Sequence, residues 1–270
     1  MSSNTKPSLL FIPGSFALPE HYNNIFESIR SQGYEIEGLH LPSVGLKTGP
    51  RQGPPPTMYD DAAYIASKTR PLVEAGKDVI LFAHSYGGVP TSQSTLGLTK
   101  VEREKEGKQG GIIRIAYMTS VVPPLGGSAG TTMADVPEDQ RLAPGSGLDI
   151  DGKGWLTHTS PARTAAISCS DLPPEEGQAW VKSMVQHSGM SFASELTHAG
   201  YKDVENVSWL FCEKDLCIPK EVQQKTIEMI ERERDGRKVD VTKIEADHIP
   251  SLGPRKQEVI DWVLSVAGKA

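Results

Sequence analysis

Cysteine is scarce in this chain: three among 270 residues, Cys169, Cys212 and Cys217. Three thiols cannot all pair with one another, so a disulfide scaffold is excluded and a reducing, intracellular setting is expected. Positive charge is not in excess either. Lys and Arg total 28 against 34 Asp and Glu, a formal charge of -6. That is the opposite of the clustered basic surface that tracks phosphates, so nucleic acid is not an expected partner. No run reaches the ~18 apolar residues that span a bilayer. The opening MSSNTKPSLLFIPG has neither the charged head nor the apolar stretch of a secretory signal. The sequence therefore predicts a cytoplasmic protein with no membrane partner, and the NVS sequon at Asn206 carries no weight in that compartment. There is no internal repeat.

What is present is an alternation of short apolar runs with helical patterns. SLLFI (8–12) precedes Tyr22, Ile25, Phe26 and Ile29, spaced as one helix face, with Gly33 as a stop. The alternation continues through YEIEGL (34–39), a helix from Thr57 to Ala75, DVILFA (78–83), a helix after Ser85, and GIIRIAYM (111–118). It resumes with VSWLFC (207–212), a helix from Pro219 to Asp235, VDVTKI (239–244) and a helix from Pro254 to Val266. Pro71 is expected to kink or end the second helix. Alternation of this kind predicts an α/β fold: a mainly parallel six-stranded sheet with helices on both faces.

Two stretches break the rhythm. Residues 40–57 are rich in Pro and Gly and read as loop, and KVEREKEGK (100–108) reads as a solvated surface excursion. The larger interruption, Val121 to Glu205, is too long for a plain loop. It is expected to be an inserted helical lid with at least one amphipathic helix, around Pro174–His187. The division is then a core of residues 1–120 and 206–270, and a lid of residues 121–205.

A literal GxSxG occurs at GGSAG, Gly126–Gly130. The motif has meaning only where a strand turns sharply into a helix and lifts the serine above the sheet, and Ser128 follows two prolines instead. Ser85 has the right context. DVILFA is a buried strand, AHSYGG is the turn, and a helix can follow, with Ala83 in place of the first glycine. A serine hydroxyl needs a base, and the base needs an acid, in the chain order Ser, acid, His. Of seven histidines only His248 directly follows a late strand, in a loop before the final helix. Asp215 falls just beyond the strand ending at Cys212, at the carboxyl edge where open α/β sheets gather their sites. Glu213 and Asp247 are the alternative acids. An oxyanion requires two preorganised donors, expected to be the backbone N–H groups of Tyr86 and of Ser15 in IPGSF.

FIPGS, AHSYGG, CEKDLCIP and ADHIP together resemble the α/β-hydrolase family, in the branch of plant methylesterases and hydroxynitrile lyases with related fungal and bacterial hydrolases. The resemblance covers nearly the whole chain. One departure is Pro13 where the family commonly has histidine before Gly14. Cyanohydrin-cleaving relatives carry threonine at the position of Gly14 and lysine at that of Ile249, so the resemblance implies an esterase rather than a lyase. It also implies acyl transfer on Ser85 with His248 as base, and no cofactor or metal. HExxH, CxxC and GxxxxGK[ST] do not occur.

Phe16, Trp155, His158, Trp180, Met184 and His187 are the candidate walls of a substrate pocket. The leading reading is a serine hydrolase of a small, fairly apolar carboxylic ester or lactone. The alternatives are non-hydrolytic C–C cleavage or cyclisation by the same triad, or a hydrolase-like small-molecule receptor. The expected partner is a small-molecule substrate, and a homo-oligomer is compatible with the sequence.

Overall fold

The fold was analysed in a computed structural model that describes residues 6–269. Six strands form a wholly parallel sheet: β1 (Ser8–Ile12), β2 (Ile36–Gly38), β3 (Asp78–His84), β4 (Gly111–Met118), β5 (Asn206–Cys212) and β6 (Asp240–Ile244). Their order is β6-β5-β4-β3-β1-β2. The chain leaves β1 for one edge and returns to its other side as β3, so direction reverses between those two strands. Ile12 stands beside Ala83 in the register. The loops after β1 and β3 therefore emerge side by side, in the crevice where open α/β sheets bind ligands.

Side-chain alternation along the strands feeds two cores. Leu9, Phe11, Ile80 and Phe82 pack with Ile25, Phe26 and Ile29 of α1 (Asn23–Ser31) and with Val259, Trp262 and Val263 of the last helix, Lys256–Gly268. Leu10, Ile12, Val79 and Leu81 face the other way, onto Met58, Ala62 and Ile65 of α2 (Met58–Glu74), Val89 of α3 (Gly88–Gln93), and the helix Lys220–Glu233. Each such fully buried side chain contributes about 1.5–3 kcal/mol. Among the described residues no helix is long and apolar enough to cross a membrane.

Local expectations fail in three places. Pro71 neither ends nor interrupts α2, which runs on to Glu74. The proline is exposed and only three residues from the helix end, and Ser67, whose carbonyl loses its i+4 donor, is exposed as well. Residues 100–108 are not merely a solvated excursion. Thr99 caps a helix, Lys100–Lys105, and Arg103 turns inward to donate to the carbonyls of Val73, Gln109 and Gly110 at 2.8–3.0 Å. The helix beginning at Pro174 stops at Ser183 rather than His187, because His187–Ser188 pairs with Trp155–Leu156.

That pairing reveals what sequence periodicity does not. Besides short helices, residues 121–205 carry a second sheet of Ala143–Pro144, Gly147–Ile150, Trp155–His158 and His187–Ser188. Strands of two to four residues are too short for alternation to register.

Candidate active site

Ser85 sits at the turn from β3 into a single 3-10 turn, Ser85–Gly87, followed by α3. Its φ is +51°, a left-handed conformation that costs a non-glycine residue about 1–3 kcal/mol. Its neighbours must be small. A Cβ on Gly87 would lie 2.6 Å from the Ile12 carbonyl, and one on Gly14 would lie 3.0 Å from the Ser85 Cβ. Loop and elbow are thus in contact, and the Ser85 side chain opens at the floor of a cavity.

His248 and Asp215 come to this serine from the ends of β6 and β5. The Ser85 hydroxyl donates to His248 Nε2 at 2.9 Å, and His248 Nδ1 donates to Asp215 Oδ2 at 2.7 Å. All three side chains are buried. Burial pulls the imidazole pKa down, but the facing Asp215 carboxylate overrides it and holds His248 well above the usual histidine range. Asp215 is itself fixed by four donors: His248, the Thr119 hydroxyl on Oδ2, and the N–H groups of Cys217 and Ile218 on Oδ1. The two alternative acids stand elsewhere. Glu213 is exposed. Asp247 is buried and shapes the histidine loop, accepting from the N–H of Ile249 and of Asp171, both at 2.9 Å.

The Ser15 N–H has no protein hydrogen-bond partner among the described residues, while the amides on either side of it are engaged. Gly14 N–H donates to the Tyr22 hydroxyl, which donates to His84 Nδ1, and His84 Nε2–H donates to the His248 carbonyl at 2.8 Å. Burial lowers the His84 pKa to about 3, so the ring stays neutral, as this chain of bonds requires. Phe16 N–H donates to His187 Nδ1 at 3.0 Å. Ser128, the literal motif hit, caps the short helix Ala129–Met133 through a bond from Thr131 N–H.

The cavity above Ser85 measures about 380 Å³ and is mostly apolar. Phe16, Leu148, Leu156, His158, Met184 and Phe192 form much of its wall, with Trp180 at the side and Ile249 beside His248. Phe16, His158, Trp180 and Met184 thus stand where the sequence suggests. Trp155 and His187 do not. Strand alternation turns Leu156 and His158 to the cavity and Trp155 away, into the protein. His187 is fully buried behind the Gly14–Phe16 loop. Burial lowers the His158 pKa to about 4, so the wall carries no charge there near neutral pH. Among the described residues no group of three or more His, Cys, Asp or Glu is arranged to hold a metal ion.

The sequence profile of the alpha/beta hydrolase family matches residues 9–262. The chain belongs to this family. A probable hydrolase R7 of Phoma sp. is 30% identical over 264 residues, covering 98% of this chain and 99% of the relative. The alpha/beta hydrolase nvfD of Aspergillus novofumigatus is 24% identical, with 98% of each chain covered. Among solved structures, polyneuridine aldehyde esterase superposes with a TM-score of 0.71 at 16% identity, over 97% of this chain and 100% of the other. A pyrethroid hydrolase from Sphingobium faniae superposes at 0.68 and 17%, over 98% of each. At that identity these two establish the likeness of fold. Thr119, Tyr22 and His84, which hydrogen-bond to Asp215, to the Gly14 amide and to the His248 carbonyl, are not singled out by the sequence. Thr119 has one local signal, its place one residue past a buried strand; Tyr22 has none beyond the helical stripe it shares with Ile25 and Phe26.

Proposed function

We propose that the protein is a serine hydrolase of a small, fairly apolar carboxylic ester or lactone, working through an acyl-enzyme on Ser85 beneath a lid formed by residues 121–205. The observation that carries this reading is the unbroken hydrogen-bond line Ser85–His248–Asp215 at the floor of an apolar cavity. His248 Nε2 takes the proton as Ser85 Oγ attacks the substrate carbonyl, and Asp215 keeps Nδ1–H pointed away and stabilises the imidazolium. The tetrahedral oxyanion is held by the N–H groups of Ser15 and Tyr86. His248 then gives its proton to the leaving alkoxide, and a water activated by the same ring releases the acid. The names of the relatives, hydrolases by description, and of an esterase among the structural neighbours are in keeping with this chemistry.

A panel of short p-nitrophenyl esters and lactones, assayed with the wild type and with Ser85→Ala, tests the reading. Acyl transfer predicts turnover by the wild type and a loss of several orders of magnitude in the variant. A variant that keeps most of the rate would mean that His248 acts as a base without an acyl-enzyme.

A further inference from the structure

Asp61 lies on α2 with its side chain in the core. It is completely buried, and among the described residues no Lys, Arg or His forms an ion pair with it. A carboxylate buried without a cation is costly unless several donors serve it. Three do. The Tyr86 hydroxyl donates to Oδ2 at 2.8 Å, the Ser43 hydroxyl to Oδ2 at 2.6 Å, and the Ser43 N–H to Oδ1 at 2.8 Å. The Ser43 oxygen in turn accepts from His187 Nε2–H at 3.2 Å, a proton His187 shares with Ser191 Oγ at 2.9 Å. His187 Nδ1 accepts from Phe16 N–H.

The directions of these bonds agree at every link. Phe16 N–H needs an unprotonated Nδ1, which puts the single ring proton on Nε2, facing Ser43. Burial lowers the His187 pKa to about 3, in keeping with a neutral ring. The line therefore runs unbroken from the amide adjoining Ser15 to the phenol of Tyr86. Its ends are the residue after one proposed oxyanion donor, on the loop after β1, and the side chain of the residue that carries the other, on the elbow after β3.

Phe16 also shows that its loop is held against its own preference. Its φ is +62°, and a strained backbone persists only where its surroundings over-determine it. Those surroundings are residues of the insertion: His187 takes the Phe16 N–H, and Val185 N–H donates to the Phe16 carbonyl at 3.0 Å. Residues 40–57 join in, since Ser188 N–H donates to the Ser43 carbonyl and Gly45 N–H to that of Gln186, both at 2.8 Å.

We propose that Asp61 is a positioning residue whose carboxylate, through Tyr86 on one side and through Ser43 and His187 on the other, sets the spacing of the two oxyanion donors. The proposal rests on the hydrolase reading above. It assigns a role to the Pro- and Gly-rich segment 40–57 and to His187 that neither has as a pocket wall. Asp61 touches no substrate. Its effect is confined to the charge that develops on the carbonyl oxygen.

The test compares two ligands of the wild type, Asp61→Asn, Tyr86→Phe and Ser43→Ala. A trifluoromethyl ketone adds Ser85 and places a full oxyanion between the donors, whereas the matching methyl ketone fills the same cavity without that charge. Loosened donors predict that trifluoromethyl ketone affinity and kcat fall about 10- to 100-fold in each variant, with methyl ketone affinity and KM near wild type. Combining Asp61→Asn with Tyr86→Phe should cost little more than Asp61→Asn alone, because both cut one line. Parallel losses for both ketones would reduce Asp61 to a packing role and overturn the proposal, as would no loss for either. Tyr86→Phe removes a single hydroxyl and keeps the test decisive should Asp61→Asn fail to fold. A wild type that neither forms the adduct nor turns over esters would instead bring down the hydrolase reading, and the positioning role with it.

Discussion

The six-stranded sheet and the insertion of residues 121–205 both face Ser85, but they meet it in different ways. The sheet acts through backbone register: the segments that follow β1, β3, β5 and β6 carry the Gly14–Phe16 loop, Ser85, Asp215 and His248. The 121–205 segment acts through side chains, lining the cavity with Leu148 and Leu156 on four-residue strands, Phe192 on a five-residue helix (Gly189–Ala193), and Met184 just past the end of the helix Pro174–Ser183. The difference teaches that, on the proposed hydrolase reading, the reacting groups sit at the strand ends and the cavity wall is built from short pieces that owe their order to one another. Through His187 the division is crossed: a residue of the 121–205 segment accepts from Phe16 N–H in the loop after β1.

The comparison breaks most sharply at the acid. Asp215→Asn should lower kcat by about 10⁴-fold, since the imidazole loses its orienting acceptor. Glu213→Gln, two residues away and exposed, should leave kcat unchanged. Steady-state kinetics on one ester decide between them. Next comes a pair of adjacent residues in the insertion. Trp155→Ala should cost about 3–5 kcal/mol in denaturant unfolding and leave acyl-length preference as it is. Leu156→Ala enlarges the cavity and should shift that preference toward longer acyl groups by about tenfold in kcat/KM.

Asp61 offers a smaller effect on the sheet side. Burial raises its pKa from 3.8 to about 6, so the folded state binds a proton more readily than the unfolded one. Stability relative to Asp61→Asn should therefore rise as pH falls from 7 toward 4. The full span is about 3 kcal/mol and is checked by urea titrations at each pH. The mildest expectation is the acid limb of activity. With His248 held above the usual histidine range, kcat/KM should fall about tenfold per pH unit below that raised pKa, since only the neutral ring accepts the serine proton. A limb centred at or below 6.5 would contradict the Asp215 pairing.

Legibility in the sequence follows the same division. GIIRIAYM is a strand over its whole length, Gly111–Met118, because it is buried on both faces and nothing competes with its pattern. YEIEGL shrinks to Ile36–Gly38 because it pairs on one side only, at the sheet edge. Ser85, Asp215 and His248, which the structure brings together, could be singled out because each lies one to four residues past the end of a strand, and the fold leaves strand ends few places to go. The insertion yields its helix at Pro174 and little else. Its strands pair through contacts such as Leu156 with His187, which no local window contains. Asp61 did leave a trace, a carboxylate in phase with Met58, Ala62 and Ile65 on the buried stripe of α2. His187 left none, since its partners Phe16 and Ser43 are 171 and 144 residues away.

The most direct test of the central claim is to incubate the protein with a fluorophosphonate and locate the adduct by peptide mass spectrometry. A serine made nucleophilic by its elbow and histidine predicts one adduct per chain on the peptide containing Ser85, and none in His248→Ala. An unmodified folded protein, or an adduct on Ser128 in the literal GxSxG, would contradict it.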